Sequence, residues 1–352
     1  MKIYENENFN IQLLTSKIKV SEQVDTRFQL SQNKIDIVVG THSLFQEKTT
    51  FNNLGLIVID EQHKFGVQQR INLSLKGSVN TDVLLMTATP IPRTLILTNY
   101  GDMDISTINE KPFNNTTINT LAKPAEKMDD VMGFLKKRLD ENDQVYWVTP
   151  LIEESEKLKL TPAVKRYEYL KKKLKIEVGL VHGAMKNEDK NKIMEDFISG
   201  KIKVIVSTTV IEVGIDNQNA NTMIIENCER FGLSQLHQLR GRVGRGKLDA
   251  YCLLLYSKNI GTNGKKRIQI LRSSLDGFYI SEEDLKLRGF GDIIGYKQSG
   301  EKDFIIADPA YHSDLFQLAK EEIENLENKD VKLEEHFSQL LKIFKKDRVL
   351  NI

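Results

Sequence analysis

The 352-residue chain carries 50 Lys and Arg against 49 Asp and Glu, a formal net charge of +1, with 40% apolar and 28% charged residues. This composition excludes a disordered tail, and the near-zero net charge excludes a protein that coats nucleic acid by bulk electrostatics; local basic tracks stay open. No apolar run approaches the length of a bilayer span, and Met1-Lys-Ile-Tyr-Glu-Asn-Glu-Asn8 lacks the apolar core of a secretory signal. Cys228 and Cys252 cannot make a disulfide framework, so a reducing cytoplasmic setting without membrane association is expected.

In chain order, short runs rich in Ile, Val and Leu alternate with helix-length stretches. The first set is Ile11–Leu14, Ile35–Val39, Leu54–Ile59 and Val83–Met86. The second is Val145–Val148, Val178–Val181, Val204–Val206, Met223–Ile225 and Tyr251–Leu255. Near-continuous apolar strands of this kind indicate α/β units whose parallel sheets are covered on both faces. The polar stretch Ile108–Thr117, interrupted by Pro112, reads as a linker, giving domains 1–112 and 113–260. From Gly261 a third part is expected, residues 261–352: a basic helix Lys265–Leu275, an Asp276-Gly277 turn, a short helix opened by Ser281 and a glycine-rich loop Gly289–Gly295. Its tail from about Asp314 is an amphipathic helix with Leu315, Leu318, Ile323 and Leu326 at helical spacing.

The polar residues cluster where strands end. Thr41-His42, Asp60-Glu61 and Thr87-Ala88-Thr89 follow strands of the first set; Thr149, His182 and Ser207-Thr208-Thr209 follow strands of the second. Ligands of open parallel sheets bind at that edge, which points to one site in a cleft between two sheets. An apolar strand ending in Asp60-Glu61-Gln62-His63 is a Walker B arrangement, in which Asp60 holds Mg²⁺, directly or through water, and Glu61 polarises the water that attacks a γ-phosphate. Asp-Glu by itself also fits a solvated acidic pair; the attached Gln62-His63 and the order of the other motifs favour the nucleotide reading. Thr87-Ala88-Thr89, in register after it, is expected to couple hydrolysis to movement.

In Gln238-Leu-Arg240-Gly-Arg242-Val-Gly-Arg245 the spacing of Arg242 and Arg245 is expected to place both guanidinium groups on one helical face, from where they reach a triphosphate as arginine fingers. Arg240 and Lys247 read equally as a nucleic-acid patch and stay unassigned. Gly214 permits close backbone approach and Asp216 can accept from a ribose hydroxyl. Lys165-Arg166 and Lys171–Lys173 read as the solvated face of a helix, Trp147 as core, and the two cysteines as buried apolar residues.

Taken together, Gly40–Gln46, Asp60–Arg70, Met86–Thr94, Val148–Glu156 and the run Thr208–Gly246 resemble the motifs of superfamily 2 helicases, and of the RecG family of bacterial ATP-dependent DNA helicases in particular. Asp284–Gly289 and Gln298–Gly300 are similar to that family's translocation motif. The resemblance implies two RecA-like domains, the first incomplete, followed by a helical hairpin and loop. It also implies ATP and Mg²⁺ as cofactors and branched duplex DNA, forks and Holliday junctions, as partner. Gln238 joins the nucleotide contacts, and Thr41, Arg93, His182, Thr208, Arg288 and Gln298 are the expected DNA contacts. The transcription-repair coupling translocases share much of the pattern, with Glu usual where Gln62 stands. No Gly-x-x-x-x-Gly-Lys-Ser/Thr occurs in the sequence. The family's P-loop and wedge domain are therefore expected as a missing N-terminal portion, supplied in cis or trans, and the polypeptide alone is expected to be inactive. The alternative from another class is a non-catalytic DNA-binding or partner-docking remnant.

Overall fold

The structure, a computed structural model, describes residues 9–61, 73, 76–77, 81–87, 104–108, 117–150, 162–208, 217–246, 249–288, 312–327 and 337–338. Gln62, His63, Ala88, Thr89, Arg93, Gly214, Asp216, Gln298, the side chain of Arg288 and the loop Gly289–Gly295 lie outside them. The chain separates into two compact units, residues 1–88 and 89–352.

In the first unit, β1 (Ile11–Leu14) and β2 (Ile37–Gly40) pair in parallel around α1 (Val20–Ser31), and β3 (Leu56–Ile59) pairs in parallel with β4 (Asp82–Leu85). Leu14, Leu30 and Ile35 form one small core and Ile57, Ile59 and Leu73 another. Strand geometry sends alternate side chains to opposite faces, and on β3 only Ile57 and Ile59 are covered while Leu56 and Val58 are exposed. Val20, Val24 and Phe28, one helical stripe of α1, are exposed as well. The cover expected on both faces of these strands is thus present on one face only among the described residues.

The second unit supplies the large core. Its elements are β5 (Ile118–Pro124), α2 (Met128–Asp140), β6 (Gln144–Val148), α3 (Pro162–Leu174), β7 (Val178–Val181), α4 (Asn187–Ile198), β8 (Val204–Ser207), β9 (Ala220–Ile225), α5 (Leu233–Arg240), β10 (Ala250–Tyr256), α6 (Thr262–Ser273), α7 (Gly277–Arg288) and α8 (Ser313–Glu327). Six strands form one parallel sheet in the order β5-β10-β9-β6-β8-β7. Both faces are buried, which is why these strands read as unbroken apolar runs. Tyr146, Val148, Ile205, Met223 and Ile225 face Phe197 of α4 and the leucines of α5, while Val145, Trp147, Val206 and Ile224 face α2 and α3. Ile268, Leu271 and Ile280 bring α6 and α7 into the first of these cores.

Three sequence expectations change. Strand β5 was not among the expected strands: it lies at the sheet edge, pairs with β10 alone, and its apolar residues are interrupted by Asn119, Thr120 and Lys123. Helix α7 begins at Gly277, four residues before Ser281, because the Asp276 carboxylate accepts the Phe278 N–H (2.9 Å) and caps it there. Arg166 is not on a solvated face, whereas Lys171–Lys173 are exposed as expected.

At the amino edge of the sheet, several polar side chains are paired with one another. Arg138 forms an ion pair with Asp143 (3.0 Å), whose carboxylate accepts from Thr222 (3.1 Å), and Asn217 donates to Gln144 (3.1 Å). Gln144 in turn donates to the carbonyls of Phe197 and Ile202. Phe197 is fully buried with its ring centroid 5.0 Å from that of Tyr146. Phe197→Ala is expected to lower unfolding free energy by about 3–5 kcal/mol, measured by denaturant titration, because the surrounding sheet and helix cannot close the void.

Candidate functional site

The strand ends of the first unit carry three of the expected residues. β3 stops at Ile59, opposite Leu85 of β4, so Asp60 follows one strand while Thr87 lies two residues beyond the other. Asp60 is exposed, and its Oδ1 accepts the Glu61 N–H at 2.8 Å. Glu61 has φ of +51°, a left-handed conformation that costs a residue with a long side chain free energy and is found where the surroundings enforce it. The chain therefore turns sharply at the end of the strand and presents two successive carboxylates there. A hard oxygen donor that is exposed at a strand end suits Mg²⁺ with waters filling the rest of its octahedron, so the Asp60 carboxylate fits that ion.

Thr41, also exposed, follows β2 and opens a 3-10 turn over His42–Leu44. The following loop is held by Lys76, whose Nζ donates to the carbonyls of Leu44 (3.3 Å), Gln46 (2.5 Å) and Thr49 (2.7 Å). Burial lowers the pKa of Lys76, with Glu47 acting in the opposite sense. Thr49 donates to the Ser43 carbonyl (2.9 Å) and accepts from Arg27 (3.2 Å). Lys76 is a positioning residue that no local motif announces.

In the second unit all six strands run parallel, so Thr149, His182, Thr208 and Glu226 share the carboxyl edge. The chain builds β6, β7 and β8 to one side and then crosses β6 to place β9, which makes the ends of β8, β6 and β9 the topological switch point. His182 is half-buried; Thr208 is 4% exposed, and its carbonyl accepts from Ser207 (2.7 Å).

Glu226 at this edge was not singled out from sequence. It is 9% exposed, its carboxylate is bonded by the Arg166 guanidinium of α3, and its N–H donates to the Val148 carbonyl (2.8 Å). Arg166 lies over the rings of Trp147 and Tyr169, each 5.1 Å from the guanidinium carbon. Burial pushes the Glu226 pKa up and the charge and hydrogen bond of Arg166 oppose it. Asn227, next in the chain, takes φ of +46° and turns it toward α5.

Gln238 is half-buried on α5, which ends at Arg240. Arg242 and Arg245 therefore do not share a helical face: they lie in the turn beyond, where Arg245 Nε donates to the Gly241 carbonyl (3.4 Å). Two glycines shape that turn. Gly244 has φ of +77° and a Cβ there would stand 3.2 Å from Ala250 and Ile118; at Gly246 a Cβ would meet the Gln218 carbonyl oxygen at 2.5 Å. Arg240 itself is 1% exposed, which removes it from any nucleic-acid patch. Cys228 and Cys252 are buried and their thiols are pushed up to about 12, chiefly by burial, which holds them in the neutral form. Among the described residues no three His, Cys, Asp or Glu side chains cluster, and no helix is long and apolar enough to cross a membrane.

Three families match in chain order: DEAD/DEAH box helicase over residues 2–97, helicase conserved C-terminal domain over 126–247, and ATP-dependent DNA helicase RecG, domain 3, C-terminal, over 274–350. The ATP-dependent DNA helicase RecG of Thermotoga maritima is 43% identical over 330 residues, covering 93% of this chain and 42% of that protein. RecG of Bacillus subtilis is 42% identical over 328 residues, 93% of this chain and 48% of that protein. The solved structure of RecG bound to a three-way DNA junction is similar with TM-score 0.64 and 40% identity over 90% of this chain and 40% of that one. Dbp5 of S. cerevisiae bound to RNA and ADP BeF3, at 15% identity and TM-score 0.55, shares the fold. The chain spans less than half the length of the relatives it matches. Two helicase domains followed by the RecG-specific carboxyl-terminal domain, at this identity over nearly all of its residues, show that the chain belongs to the RecG helicase family.

Proposed function

We propose that the chain is the motor part of an ATP-dependent translocase on duplex DNA that remodels stalled forks and Holliday junctions. Residues 1–112 and 113–260 serve as two RecA-like lobes and 261–352 as the part that passes movement to DNA. The observation that carries this reading is the strained Asp60-Glu61 turn at the end of an apolar parallel strand, an arrangement with a reason in phosphoryl transfer. The RecG relative bound to a three-way DNA junction supports the DNA substrate.

In this reading Asp60 would hold Mg²⁺, which would neutralise phosphate charge, and Glu61, with Gln62 and His63, would orient the attacking water. Arg242 and Arg245 serve as arginine fingers, which are worth about 10³–10⁵ in rate. Bound Mg-ATP supplies the phosphoryl chemistry; the protein positions it and opposes its developing charge. Gly214, Asp216 and Gln238 contact the nucleotide, and Thr87-Ala88-Thr89 respond to loss of the phosphate. Thr41 and His182, with Arg93, Arg288 and Gln298, track the DNA backbone without reading bases, while Thr208, at 4% exposure, is set aside for the same reason as Arg240.

Because the sequence holds no Gly-x-x-x-x-Gly-Lys-Ser/Thr, the phosphates need a P-loop segment in cis or trans. The same observation favours the second reading, a DNA-binding or docking remnant without catalysis. Steady-state assays separate them. The chain alone is expected to show negligible DNA-stimulated ATP hydrolysis. Mixing in a RecG amino-terminal segment that carries the P-loop should restore it on branched DNA, and Glu61→Gln should abolish it again. No binding of an ATP analogue by calorimetry, with or without that segment, would leave the remnant reading standing.

In the restored system Arg242→Ala and Arg245→Ala are each expected to lower kcat about a thousandfold or more with little change in KM for ATP. Binding of the chain to a three-way junction, followed by fluorescence anisotropy, should weaken steeply with salt and be indifferent to base sequence.

A further inference from the structure

Arg240 is a buried cation that no carboxylate among the described residues neutralises. Its Nη1 donates to the carbonyls of Leu271 (2.5 Å) and Ser274 (2.8 Å) and lies 3.5 Å from the Thr120 hydroxyl; its Nη2 donates to His237 Nδ1 (3.0 Å), which must accept because a guanidinium cannot. Leu271 and Ser274 stand at the carboxyl end of α6, where helix carbonyls lack internal partners and the helix dipole favours positive charge. Arg240 is also the last residue of α5, directly before Gly241-Arg242. A second polar contact joins the other end of α5 to the next helix: Ser234 donates to Asp284 of α7 at 2.6 Å, and Asp284 is buried.

An apolar side chain of similar volume would fill this space at lower desolvation cost, and burial does lower the Arg240 pKa. What such a side chain would not do is hold two carbonyls of α6 at a fixed distance from the end of α5. We infer that Arg240 is a positioning residue: with Ser234–Asp284 as the second fastening, it binds α5, α6 and α7 into one body. A displacement of Arg242 and Arg245 is thereby delivered to α7, whose carboxyl end is Arg288. This inference rests on the proposed motor function for its purpose, while the body itself exists without nucleotide or DNA.

Hydrogen exchange of the full chain, read by mass spectrometry without ATP or DNA, tests it independently of any motor activity. In Arg240→Met, peptides 233–246 and 271–288 should exchange together about ten- to a hundredfold faster, as expected when buried carbonyls lose a charged donor, while β6, β8 and β9 keep their protection. Arg240→Lys, which retains a donor, should restore part of that protection, and Ser234→Ala should loosen 277–288 alone. Unchanged exchange over 271–288 in Arg240→Met would overturn the assignment. So would equal loosening of the sheet, which would make Arg240 a residue of the general core, or loosening of 271–288 without 233–246, which would leave the helices uncoupled.

Discussion

The constraint on which the second unit rests is that six strands run in the same direction through one buried sheet. Parallel pairing forces every connection back across a face, so helices cover both sides and apolar side chains fill both cores. It also forces every strand to finish at one edge. Thr149, His182, Thr208 and Glu226 come from strands far apart in sequence and share that edge because no other arrangement of parallel strands is available to them.

Onto this regular frame the chain adds backbone that departs from regularity where charged groups are presented. Glu61 turns the chain through a left-handed conformation at the end of β3, and Gly244 and Gly246 permit a turn close against Ala250, Ile118 and Gln218 that carries Arg242 and Arg245 past the end of α5. A carboxylate pair and a guanidinium pair placed on turns of this kind are held by the strand or helix that precedes them, which limits the freedom that binding a ligand would have to remove.

The buried ions follow a different logic. Arg166–Glu226 at the switch point and Arg240 against the end of α6 lie where water screens them less than at the surface, so each is costly unless its partners stay in place. Such groups join elements that apolar contacts alone would allow to slide. One pair ties α3 to the end of β9; the lone guanidinium ties α5 to α6.

Most strands and the strand-end motifs were legible in the sequence, since burial on both faces writes itself as an apolar run and a ligand edge as a polar cluster after it. The edge strand β5, half-exposed and interrupted by polar residues, left no such trace. The acidic pair and the arginine run were identifiable because their chemistry depends on residue type and spacing. Which arginines the fold covers was not: Arg166 and Arg240 look as soluble as their neighbours until the fold buries them, and Arg242 and Arg245 look helical until Gly241 ends α5. The sequence by itself determined the α/β class, the strand ends and the family. Only the tertiary structure decided which charges are buried, because burial depends on elements distant along the chain that meet only when the sheet is assembled.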